Sequence, residues 1–280
     1  MIEHEIYERV HQHLMALKMN TANGILDSAL ERAVRGDLPA VEVLDHLLGE
    51  EVRHRRASSI ETRTRLANFP IRKTLAEFDL EFQPSVDRKV FEDLRSLRFL
   101  SNNENVILLG PPGVGKTHIA IGIGLEAIQA GYSVYYCSSV SMVEKLRNAT
   151  HRGTLERALR NLCRPRLLIV DEIGYLPMDK EGANLFFQLV SRRYERGSTV
   201  YTSNKSYAEW GEVLGDDVIA SAVLDRILHH SVTLSIKGDS YRLRARRKAG
   251  APPPAALKKE ESLNSSGEKY APELGNSKRR

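Results

Sequence analysis

Cysteine is scarce: the 280 residues hold only Cys137 and Cys163. Neither sits in a C-x-x-C pair or near a histidine at ligand spacing. This argues against a cysteine-based zinc site or a disulfide framework and points to core thiols in a reducing compartment. Long apolar runs are also missing. No window reaches membrane-spanning length, and the opening Met1-Ile2-Glu3-His4-Glu5 is charged where a secretory leader would be apolar. The expectation is a soluble cytoplasmic protein with no membrane partner. There is no internal repeat. Neither a helix-turn-helix nor a zinc module is present, so sequence-specific base reading is not suggested. Most of the chain also lacks a basic excess. The net charge is +5, yet residues 237–280 carry twelve Lys and Arg against five Asp and Glu, leaving the rest slightly acidic. A polyanionic partner is suggested, with the surplus charge at the C-terminal end.

What is present is organised around one stretch. Val106-Ile107-Leu108-Leu109 is a short apolar run, followed by Gly110-Pro111-Pro112-Gly113-Val114-Gly115-Lys116-Thr117 and then a helical pattern from His118. This matches G-x-x-x-x-G-K-[ST] in the strand-loop-helix setting that the motif requires. Gly110, Gly113 and Gly115 let backbone N–H groups approach phosphates where a Cβ would intrude. Lys116 reaches the β and γ oxygens, Thr117 offers a hydroxyl to Mg²⁺, and the helix N-terminus adds its partial positive charge. A nucleoside triphosphate is therefore the expected ligand.

Downstream, Leu167-Leu168-Ile169-Val170 runs into Asp171-Glu172, the pattern of a buried parallel strand ending in carboxylates. Asp171 is placed to hold Mg²⁺ through water, and Glu172 to orient and deprotonate an attacking water. A strand-helix unit separates the loop from these acids, which suits the additional-strand NTPases. Residues 133–137, 199–204 and 232–236 read as three more strands, five in all, alternating with helices. Asn204 closes the fourth, either against the γ-phosphate or as a turn former. Arg226 ends a helix over 218–228 and can act in its own subunit, pair with Asp225, or reach a neighbour's γ-phosphate. His229 and His230 are not expected to share a metal, because adjacent helical residues diverge. Trp210 reads as a packing residue.

Residues 1–66 read as a small all-helical domain with an apolar stripe through Val10, Leu14, Leu17, Leu26, Leu30, Val34, Leu44, Leu47, Leu48 and Val52. Arg53, Arg55, Arg56, Arg63 and Arg65 cluster at its expected end and linker, as a solvated face or a phosphate contact. Residues 67–104 form a connector anchored by Leu75, Phe78 and Leu80, with one helix over 90–100. Residues 105–248 make the nucleotide domain. Residues 249–280, rich in Pro, Ser and Lys, read as a disordered basic tail.

In this order, Gly110 to Thr117, Asp171-Glu172, Thr202-Ser203-Asn204 and Leu224-Asp225-Arg226, behind a helical module, resemble the IstB/DnaC-like AAA+ ATPases. Within that family the resemblance is to the helper ATPases of insertion-sequence transposition. It covers roughly residues 1–248. It implies an α/β AAA+ P-loop NTPase with a five-stranded parallel sheet, ATP and Mg as cofactors, and assembly of a homo-oligomer on double-stranded DNA without sequence preference. It also implies recruitment of a cognate transposase; loading of a replicative helicase is the alternative. On this footing Pro111, Pro112, Val114 and His118 join the loop as nucleotide-binding residues, Lys116 and Glu172 are catalytic, and Thr117 and Asp171 serve the metal. Asn204 is a first sensor, Arg226 an inter-subunit finger, and Arg242 or Arg244 a place to seek a second sensor.

Overall fold

A computed structural model describes residues 2–37 and 39–248; the expected tail at 249–280 lies outside the described residues. Five strands, β1 (Asn105–Leu109), β2 (Val134–Ser138), β3 (Leu167–Ile173), β4 (Ser198–Ser203) and β5 (Ser231–Ser235), pair in parallel in the order β2-β3-β4-β1-β5. β4 lies between β1 and β3, which is the added strand that the motif spacing predicts. The phosphate-loop turn after β1 and the carboxylates at the end of β3 therefore flank the end of β4, on the edge of the sheet where parallel α/β folds bind ligands.

Alternation along the strands divides the core into two layers. Ile107, Leu168, Val170 and Tyr201 face α7 (Ser139–His151), α8 (Leu155–Cys163), α9 (Lys180–Arg193), α10 (Trp210–Leu214) and α11 (Asp217–His229). Val106, Leu108, Ile169 and Val200 face α4 (Arg88–Arg95), α5 (Arg98–Ser101) and α6 (Lys116–Gln129). Trp210 is fully buried in the first layer, as its packing reading required. The single helix expected over 90–100 is in fact α4 and α5, because Leu97 adopts the left-handed conformation at φ 61°. After β5 the described residues hold one further helix, α12 (Tyr241–Lys248).

The N-terminal residues form α1 (Ile2–Ala16), α2 (Asn20–Val34) and α3 (Ala40–Leu66). Their core is narrower than the predicted stripe. Ala22, Leu26, Ala29, Val43 and Leu47 are buried, with Leu14 packed against them. Val10, Leu17, Leu30, Val34, Leu44, Leu48 and Val52 are exposed. Alanines at the α2 contact seat the helices closely, and three helices cannot cover every apolar side of one another. The arginine cluster also differs from expectation. Residues 50–66 contain neither Gly nor Pro, so α3 continues unbroken through Arg53 to Arg65 rather than ending in a linker. Its far end reaches the sheet domain: Ile60 packs against the second layer, and the amide of Tyr136 in β2 donates to Ala67 O at 2.8 Å. Among the described residues, no helix is long and apolar enough to cross a membrane.

Candidate nucleotide-binding site

The loop after β1 follows a path open only to glycine at its key points. Gly110 has φ 152°, and a Cβ there would collide with the backbone carbonyl of Ile236; Gly115 has φ 102°, and a Cβ there would lie 2.6 Å from the Phe78 ring. Gly115 is the left-handed N-cap of α6, so Lys116, Thr117 and His118 occupy the first turn, where unpaired N–H groups point outward. Lys116 Nζ donates to Gly110 O at 2.6 Å and Pro111 O at 2.8 Å, which holds the ammonium over the loop. Burial pushes its pKa below the ordinary lysine value, opposed by the attraction of Asp171 and assisted by Arg242.

Asp171 is 1 % exposed, and three hydroxyls converge on it. Thr117 Oγ1 donates from 3.0 Å, Tyr136 Oη from 2.6 Å, and Thr202 Oγ1 makes the third contact. An oxygen-only pair of hydroxyl and carboxylate at this distance fits a hard divalent cation such as Mg²⁺. Glu172 sits within the register break that β3 makes between Val170 and Ile173, and has φ 61°. Its N–H donates to Thr202 Oγ1 at 2.9 Å, and its carbonyl accepts from Ser139 Oγ at 3.0 Å. A left-handed glutamate is strained, and these two bonds hold it. The bend turns one carboxylate inward and leaves the next exposed.

A cavity of ≈ 350 Å³ gathers Gly113, Lys116, Thr117, Glu172, Asn204 and Arg242. Pro112, Val114, Gly115 and His118 also line it, whereas Gly110, Pro111 and Asp171 do not. His118 turns its ring to Thr74 O, at 2.8 Å, and against Phe78. The connector supplies Ile71, Phe78 and Gln83 to the same cavity. Leu75 is buried and Phe78 and Leu80 are partly buried, which agrees with their anchoring role. Arg242 lines the cavity, but Arg244 lies over the Phe82 ring at 4.4 Å and 3.6 Å from Asp79, facing the connector.

Arg226 is not among the residues lining the cavity. Its Nη1 donates to Ala222 O at 2.9 Å and its guanidinium covers the Phe187 ring at 4.8 Å. Among the described residues it has no ion pair with Asp225, which removes that reading. His229 and His230 also differ from expectation. His230 leaves the helix with φ −128° and ψ 90°, so the rings meet at 4.1 Å instead of diverging. Two contributors were missed by sequence reasoning. Thr202 stood inside a quoted motif without a role, and Tyr136 carries no motif signal, since only strand pairing brings it to Asp171.

The model of the family described as IstB-like ATP binding protein matches residues 12–249. A protein named as the ATP-binding protein of insertion sequence IS21 from Pseudomonas aeruginosa is 49% identical over 237 residues, 85% of this chain and 89% of that one. Its counterpart in insertion sequence IS5376 of Geobacillus stearothermophilus is 44% identical over 240 residues, 86% and 96% of the two chains. Among solved structures, AMPPCP-bound DnaA from Aquifex aeolicus superposes with TM-score 0.51 at 19% identity, over 69% of this chain and 60% of that one, a likeness of fold.

Proposed function

Because this chain belongs to the IstB-like ATP-binding protein family, we propose that it is a DNA-stimulated AAA+ ATPase that assists transposition. In this reading it binds ATP with Mg²⁺ in the cavity above the phosphate loop and hydrolyses it to ADP and phosphate. Lys116 and the amides of the first turn of α6 hold the phosphate oxygens. Thr117 and Asp171 hold the metal, which when bound draws charge from the β and γ oxygens. Glu172, exposed at the lip of the cavity, orients a water for in-line attack and takes its proton. Asn204, at the end of the neighbouring strand, positions that water or the γ-phosphate.

The observation that carries the assembly is Arg226. It stands apart from its own subunit's cavity, stacked on Phe187, so its charge is available to a neighbour's nucleotide. Subunits then complete one another's sites, and a scaffold that aligns them accelerates turnover. The scaffold is double-stranded DNA held through its phosphates, and the arginines along α3 are its contact. Insertion-sequence relatives favour a transposase as the protein recruited. The test is ATP turnover with and without duplex DNA over a range of protein concentrations. Stimulation by DNA, greatest in dilute protein, is expected, together with loss of turnover but not of ATP binding in Glu172→Gln. Equal rates with and without any nucleic acid at every concentration refute it.

A further inference from the structure

The pair of histidines that ends α11 has a third partner. α9 stops at Arg193, and the chain then takes a left-handed turn at Glu195, φ 59°, which is uncommon for a residue with a side chain. Glu195 Oε1 lies 3.6 Å from His230 Nε2. One ligating atom from each of Glu195, His229 and His230 lies within 4.8 Å of the others. Tyr194 Oη is 2.6 Å from His229 Nδ1. When His229 Nδ1–H donates to that oxygen, the contact is the outer hydrogen bond that orients a metal-binding histidine, and Nε2 keeps its lone pair for a cation.

We infer that Glu195, His229 and His230 form a binding site for a divalent transition-metal cation of zinc's class, with Tyr194 orienting His229. Two imidazoles and one carboxylate suit a borderline cation, whereas Mg²⁺ and Ca²⁺ select oxygen donors. Three protein ligands leave one position open to water. The plainer reading, a Glu195–His230 ion pair, explains little of this: both side chains are about half exposed, where such pairs contribute almost nothing, and it gives no account of the second histidine or of Tyr194. The ligands come from the ends of two helices, α9 and α11. Those helices also hold Arg226, on α11, against Phe187, on α9. A bound cation therefore ties together the ends of the two helices between which Arg226 is set. Only the bearing of this tie on Arg226's role at a neighbour's nucleotide rests on the proposed function; the site itself does not.

The test uses the full chain, freed of metal by chelator and without nucleotide, titrated with Co²⁺ and read by visible absorption, then competed with Zn²⁺. One Co²⁺ per protomer, displaced by Zn²⁺ and accompanied by a higher melting temperature, is expected. Glu195→Gln and His230→Ala each impair a direct ligand, so each should weaken binding by at least the roughly 10- to 100-fold that losing an outer-shell partner costs, while His46→Ala, remote from the site, leaves it unchanged. His230→Cys keeps a ligand, so it should retain Co²⁺ and add sulfur-to-cobalt absorption. If the alanine variant fails to fold, the cysteine variant decides. No saturable binding by the parent chain, no sulfur band in His230→Cys, or binding that survives both Glu195→Gln and His230→Ala would mean an adventitious ion only and overturn the site.

Discussion

Tyr136→Phe tests whether Asp171 is held by the network rather than by the strand alone. The substitution keeps the ring and its edge contact with Phe69, and it leaves the backbone bonds to Ala67 and Asn68 in place. What is lost is one of three hydroxyls on a buried carboxylate, at 2.6 Å. A hydrogen bond to a charged group contributes roughly 1.5–3 kcal/mol, and removing the half-buried hydroxyl returns about 1 kcal/mol of its own desolvation. The net expectation is a loss of about 0.5–2 kcal/mol, a roughly two- to thirty-fold fall in the ratio of folded to unfolded protein. Burial first, then the bond and charge of Asp171, push the Tyr136 pKa above the ordinary tyrosine value. The hydroxyl thus remains a donor at neutral and mildly alkaline pH, and the loss should not vary with pH there. Urea unfolding should show a lower midpoint with unchanged slope. The Mg²⁺ concentration needed for half-maximal ATP turnover should rise as well, because Asp171 is left with only the two threonines. An unchanged midpoint together with an unchanged Mg²⁺ requirement would refute the reasoning, since the tyrosine would then contribute nothing to the carboxylate.

Mixing inactive subunits tests the division of labour across the boundary. Arg226→Ala and Lys116→Ala should each lose about 10³-fold or more in turnover, yet a mixture should recover part of the activity; no recovery would place Arg226 in its own site. Arg193 is buried without a carboxylate partner, and its guanidinium donates to Leu162 O, Pro165 O and Ser198 O at 3.1, 3.1 and 2.6 Å. Arg193→Met should therefore cost about 3–5 kcal/mol by leaving those carbonyls unpaired, measured by denaturant unfolding; a neutral result would show that they find other donors. Bonds from Lys205 and Ser206 lower the Glu209 pKa from 4.5 to about 2, just past Asn204. Because the folded pKa is the lower one, its contribution is complete above pH 4.5 and is lost as the pH falls towards 2. The stability gap between the parent chain and Glu209→Gln should hold steady above that window and close within it, and a gap independent of pH would contradict a stabilising role for the bonds from Lys205 and Ser206.

Much of the nucleotide site was legible along the chain because its chemistry is local. A phosphate cradle needs glycines and a lysine at fixed offsets on one turn, and a buried parallel strand ending in acids shows as apolar residues followed by Asp171 and Glu172. Helices were harder to delimit. Nothing in the composition of residues 90–100 announces that Leu97 turns left-handed, and the arginines of α3 look alike on a helix or beside a linker. The apolar stripe at the N-terminus was overread because periodicity reports which residues can be buried, while burial also needs a partner surface.

Sequence alone therefore determined the order of strands and helices, the loop that receives phosphate and the acids that face it, since each depends on residues within a few positions of one another. Tertiary structure decided what depends on strand order and on chain ends that meet. Tyr136 crosses from the sheet edge to Asp171, Arg226 packs on Phe187 outside its own cavity's lining, and His229 and His230 come together beside Glu195. Distances across a sheet or between two helix ends are set by packing, which no spacing along one strand records.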